Sequence, residues 1–173
     1  MKNWSEDRMR ALKFLDAHFE EILVITFLAT MTALVGVQVI MRYVMQSSLS
    51  WSEEMARYVF IWLVNIGISY GVKTKRHISV DVLNYFLSKK KSAYLSILAD
   101  ILFLVFSIIV VYNGYNLTLR IMATGQASPA LEMPMYVVYG SLPASFCLVC
   151  VRLIQSIVIK IMAIADGKYE ELV

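Results

Sequence analysis

Three groups of residues in this chain have types and spacings that chemistry could use. Asp100 is an acid followed directly by the uncharged run Ile101 to Leu119. An ionisable group at membrane depth is expensive, which makes Asp100 a candidate for an ion or proton path. Cys147 and Cys150 form a C-x-x-C pair, the spacing of a dithiol redox centre. Glu53, Glu54 and Arg57 fall within one helical turn, so a single cation can face two acids at i−4 and i−3.

Each group also has a plainer reading. Asp100 stands about nine residues, or about 14 Å of helix, beyond the Lys89 to Lys91 run, so it can equally mark a helix entry or an interhelical contact near the headgroups. A lone cysteine pair on one apolar helix fits small core packing. An exposed ion pair is worth only about 0.3–0.5 kcal/mol, too little to explain the acidic cluster by stability. In a partly desolvated interface the same charges would fix register, whereas the alternative is a polar helix start flanked by interfacial Trp51, Tyr58 and Trp62. Gln38, Asn65, Asn113 and Asn116 suit hydrogen bonds between helices. His18 and His77 are far apart in the chain. No nucleophile with a base, phosphate loop or metal-ligand set emerges, so neither a catalytic residue nor a metal or other cofactor is expected.

These residues must be positioned by helices in a membrane. Of 173 residues 59% are apolar and 17% charged, too greasy and too charge-poor for an ordinary soluble domain. Uncharged runs extend from Ile22 to Met41, Tyr58 to Val72, Ile101 to Leu119 and Met133 to Val151. The expected fold is an all-α integral membrane protein. Four transmembrane helices, near 22–41, 51–72, 96–119 and 133–152, form one domain over residues 1–173.

The second run is short by itself, but Ser50 followed by Glu53 fits a capping box. That starts the helix at Trp51 and gives about 33 Å to Val72. The first run lies behind a charged leader without a convincing cleavage site and is expected to be retained. Between the second and third runs, segment 78–88 has an apolar face with basic flanks, which reads as a short interfacial helix or as a loop collapsed on the bundle. Helical periodicity continues past Arg152 as an extension over 153–166. In the loop before the last run, Pro134 suits a first helical turn and Glu132 a helix N-terminus, while Pro143 is expected to kink the last helix.

Thirteen of the 16 Lys and Arg residues fall in the two terminal segments and the middle loop. The positive-inside rule then places both termini and that loop in the cytoplasm. The net charge of +3 reflects this topology and attraction to membrane lipids, not to nucleic acid.

Trp51-Ser52-Glu53-Glu54, then Arg57-Tyr58, then His77-Ile78 with Val80-Asp81-Val82-Leu83, resemble a known signature. It is that of the small membrane subunit of tripartite ATP-independent periplasmic (TRAP) transporters. Pro129-Ala130-Leu131, Pro134, Tyr139 and Pro143 resemble that family's entry into its last span. The resemblance covers all four runs in order. It implies a non-catalytic scaffold subunit in the bacterial inner membrane, beside a large membrane subunit and a periplasmic substrate-binding protein, in sodium-coupled import of an organic acid. It also implies partner or interhelical contacts for Trp51, Glu53, Glu54, Arg57, Tyr58, His77 and Asp81. Taken whole, the chain is similar to the small subunit of a sialic acid system, although no residue encodes that substrate. The residues alone leave two rivals: an independent small transporter or channel using Asp100 with Asn113 or Gln38, and a membrane thiol redox protein centred on Cys147 and Cys150.

Overall fold

Long apolar sequence with no water to satisfy its backbone leaves the helix as the local solution for every N–H and C=O. The computed structural model describes residues 4–74 and 89–165, with side chains for 18–74 and 90–165. Its helices are α1 (Trp4–Tyr43), α2 (Ser50–Lys73), α3 (Lys89–Thr124), α4 (Tyr136–Tyr139) and α5 (Ser141–Ala165). His18–Tyr43, Ser50–Lys73, Lys90–Thr124 and Tyr136–Ala165 are each long and apolar enough to cross a membrane. The protein is therefore an all-α, multi-pass membrane protein. His77, Asp81 and the segment 78–88 lie outside the described residues.

The chain divides into two units. The first contains residues Met1–Gly67 and Ser128–Glu132. In α1 the hydroxyls of Thr26, Thr30 and Thr32 donate to carbonyls one turn back, at 2.7, 2.8 and 2.8 Å, so these polar groups need no water. At the end of α1 the carbonyls of Ile40 and Met41 accept the N–H groups of Val44 and Ser47, at 2.8 and 3.0 Å. Gln46 reverses the chain in the left-handed region, at φ 52°.

Helix α2 begins at Ser50, one residue before the position expected from the sequence. A capping box needs its serine outside the helix in extended backbone. Here Ser50 is already helical, and the first turn closes instead from Ser52 N–H to the Leu49 carbonyl at 3.2 Å. The Ser50/Glu53 box is thus not formed.

The second unit contains Ile68–Ala127 and Met133–Val173. Its core joins Val72 at the end of α2 to Val149 and Leu153 of α5, with Phe103 and Leu104 of α3 packed against them. Helices α3 and α5 run antiparallel: Gly114 meets Pro143, Phe106 packs edge-on to Phe146 at 6.2 Å, and Asp100 meets Lys160. A Cβ on Gly114 would lie 3.2 Å from the Pro143 ring, so the absent side chain is what lets the two helices approach here.

The last span begins slightly later than the expected 133, and its expected continuation over 153–166 is helical as far as Ala165. Residues 133–135 precede the single turn α4, Gly140 joins it to α5, and α5 runs on to Ala165. Pro143 is the third residue of α5, directly behind the interruption at Gly140, so its missing N–H and its ring act on the turn that joins α4 to α5, where Gly140 keeps helical backbone angles and gives its N–H to the Tyr136 carbonyl at 2.8 Å. Pro134 lies two residues ahead of α4 rather than in its first turn, and Glu132 sits in a left-handed turn at φ 52° rather than on a helix N-terminus.

Candidate functional site

Glu54 is the most tightly bound residue of the charged cluster, and its partners are not the ones its spacing suggests. It is 2% exposed. One carboxylate oxygen accepts the Tyr58 hydroxyl, one turn further along α2, at 2.5 Å. The other accepts two backbone N–H groups, from Ala130 at 2.8 Å and from Leu131 at 3.0 Å.

The loop converges these donors for local reasons. Pro129 fixes its own φ, and Glu132 N–H closes back onto the Ser128 carbonyl at 3.1 Å. Successive N–H groups in such a turn make a concavity that favours an anion. The hydrogen bonds hold the first turns of α2 and residues 128–132 together, both within the first unit.

Arg57 is not paired with either acid. Among the described residues neither Glu53 nor Arg57 has a hydrogen bond or ion pair, and both are exposed. Glu54 turns inward to donors already desolvated and oriented, whereas the guanidinium stays outside. Trp51 is 44% exposed and Tyr58 is buried against Glu54.

Gln38 ties α1 to the start of α2. Its carbonyl oxygen accepts the Ser52 hydroxyl at 2.6 Å and its amide donates to Ser48 at 3.2 Å. Asn65 is buried on α2. Asn113 is exposed and donates to the Ile109 carbonyl of its own helix at 2.8 Å, so it does not bridge helices as its type suggested.

In the second unit Asp100 accepts the Lys160 ammonium at 2.7 Å and the Ser156 hydroxyl at 2.9 Å. Both charged side chains are about nine-tenths buried, at 10% and 11% exposure. Ser156 and Lys160 are i and i+4 on α5, so one face of that helix supplies both partners. The acid is neutralised inside the chain by a cation from the neighbouring helix.

Cys147 is exposed and Cys150 half-buried, both as free thiols, so core packing describes only the second. They lie well inside α5, away from the helix N-terminus that would favour a thiolate. Among the described residues no group of three His, Cys, Asp or Glu could hold a metal ion.

Sequence spacing missed Ala130, Leu131 and Lys160. The first two act through backbone N–H groups, which side-chain types do not advertise. Lys160 reads as one of several cations in a basic tail until the antiparallel register of α3 and α5 brings it to Asp100.

Residues 31–161 match the family model described as "Tripartite ATP-independent periplasmic transporters, DctQ component". The chain is 30% identical over 169 residues to the isethionate TRAP transporter permease protein DctMQ of Oleidesulfovibrio alaskensis, covering 93% of this chain and 27% of that protein. It is 32% identical over 108 residues to the C4-dicarboxylate TRAP transporter small permease protein DctQ of Rhodobacter capsulatus, covering 62% of this chain and 48% of that one. The sialic acid TRAP transporter small permease protein SiaQ of Vibrio cholerae matches at 24% over 108 residues, 62% of each chain. The chain thus spans about a quarter of the first relative and about half of the second.

Proposed function

Because this chain belongs to the DctQ component family of tripartite ATP-independent periplasmic transporters, we propose that it is a scaffold subunit, without a conduction path of its own, in a transporter that imports an organic acid. The family consists of transporter components, not enzymes.

One observation carries the scaffold reading: the buried carboxylates among the described residues are spent inside the chain. Glu54 is held by Tyr58 and two backbone N–H groups, Asp100 by Lys160 and Ser156, and Glu20 is likewise engaged. A path for an ion or an anionic substrate needs polar groups left for the cargo, because burying them unpaired is costly. The same observation weighs against a channel built on Asp100.

A tripartite system supplies what this chain lacks. Its partners are a large membrane subunit, which carries the substrate and the sodium sites, and a periplasmic substrate-binding protein. Relatives named for isethionate, C4-dicarboxylate and sialic acid support an organic anion as the cargo of the assembly. Sialic acid is one member of that class. The Lys and Arg distribution supports a bacterial inner-membrane placement with both termini cytoplasmic, and hence a periplasmic Glu54 loop.

Co-purification tests the assembly. With a tag on a co-expressed large subunit, this chain elutes with it in a constant ratio through gel filtration in detergent. Elution of the chain at its own position, with none on the large subunit, contradicts the proposal.

A further inference from the structure

Helix α3 turns one face towards α5 and leaves another uncovered. On the uncovered face Leu102, Phe106, Ile109, Asn113, Asn116 and Arg120 follow one another at separations of four, three, four, three and four residues. This is the spacing with which one helix packs along another at a shallow left-handed crossing. Leu102, Phe106, Ile109, Asn113 and Arg120 are exposed and Asn116 is half-buried. Apolar residues at that spacing suit lipid equally well, so the polar members decide what covers the face.

Asn113 lies at membrane depth. Asp100 and Arg120 bound the uncharged run of α3 and stand about 30 Å apart along the helix, the thickness of the hydrocarbon. Asn113 is about 10 Å inside the Arg120 end. Its amide donates one N–H to the Ile109 carbonyl at 2.8 Å. An asparagine has a second N–H and an acceptor oxygen, and among the described residues neither has a partner here. Acyl chains carry no donors or acceptors, so lipid leaves both groups unsatisfied, whereas a polar side chain on a neighbouring helix satisfies them.

Arg120 decides between a second copy of the chain and a different one. Two copies in one membrane share an orientation, so packing α3 on α3 along this face sets Arg120 beside Arg120. Among the described residues Arg120 has no hydrogen bond or ion pair, so nothing within the chain offsets that repulsion. A different polypeptide with an acid at the same level turns the guanidinium into an attraction.

We propose that this face of α3 is a docking seam for a membrane-spanning helix of a different polypeptide, one that sets an amide or hydroxyl side chain opposite Asn113 and a carboxylate opposite Arg120. In the assembly proposed above that polypeptide is the large membrane subunit, and the inference rests on that reading. A single polar residue in an apolar seam specifies register, so Asn113 sets where along α3 the partner helix sits.

Photocrosslinking in native membranes tests the seam, with a tagged large subunit co-expressed. A photoreactive residue at Ile109 captures the large subunit, whereas one at Ile108, also exposed but turned about 100° away, captures lipid. Asn113→Leu lowers recovery of the chain on the large subunit in detergent about threefold to tenfold, the effect of one hydrogen bond between membrane helices. Arg120→Glu lowers it more than Arg120→Gln does. The unfolding temperature of the chain alone is unchanged in each variant, because neither side chain bonds beyond its own helix. With the unaltered chain recovered on the large subunit, capture of lipid alone or of a second copy at Ile109 overturns the seam and leaves the assembly standing. Recovery that survives both Asn113→Leu and Arg120→Glu does the same. Failure to recover the unaltered chain removes the assembly and the seam together.

Discussion

Glu54 accepts hydrogen bonds through both oxygens, two of them from backbone N–H groups of a loop 76 and 77 residues away in sequence and another from the Ser128 side chain of that loop. Glutamine keeps one acceptor oxygen but turns its NH₂ on donors that need an acceptor. Glu54→Gln should therefore loosen the loop, and Glu54→Ala more so, whereas Tyr58→Phe removes one bond that does not come from the loop and loosens it least. Limited proteolysis within residues 126–135 should rank the variants in that order. Arg57→Gln should leave both loop cleavage and unfolding temperature unchanged, because Arg57 pairs with neither acid. The sequence pointed to Glu54 and misnamed its partner for a physical reason: helical spacing says which side chains share a face, but not which distant backbone groups a loop will turn towards them.

At the level of elements, the α3–α5 pair is set by a buried ion pair at one end and a close backbone approach at the other. Asp100→Ala leaves the Lys160 ammonium buried without its carboxylate, which should cost about 3–5 kcal/mol. Replacing both, Asp100→Leu with Lys160→Met, removes the stranded charge and should be far milder, with uptake by the assembled transporter retained. Thermal unfolding in detergent measures the first effect and transport the second. If the double replacement abolishes uptake while the complex stays assembled, the pair does more than hold two helices.

At the opposite end, a Cβ on Gly140 would sit 2.9 Å from the Tyr136 carbonyl oxygen, which is backbone, whereas one on Gly114 would meet the Pro143 ring at 3.2 Å. Gly140→Ala should lower the unfolding temperature more than Gly114→Ala. The helices themselves were legible because apolar runs of this length have few other folds. The start of the last one was not, since hydropathy does not mark the interruption of helical hydrogen bonds that stands at Gly140, three residues ahead of Pro143.

For the whole molecule the sequence speaks most clearly about membrane class, because that follows from summed hydropathy rather than from any one contact; the proposed orientation rests on the placement of Lys and Arg. With Cys147 and Cys150 replaced by serine, a cysteine at Ser48 should react with a membrane-impermeant maleimide in intact cells, and one at Lys168 only after the inner membrane is opened. The reverse pattern would invert the topology and move the Glu54 loop to the cytoplasm.

The scaffold role itself is tested most directly by uptake into proteoliposomes under an inward sodium gradient, supplied with a cognate binding protein loaded with its organic acid. This chain alone should accumulate nothing above empty vesicles, and the chain together with the large subunit should transport. Accumulation by the chain alone would contradict the account and return a conduction path to its interior.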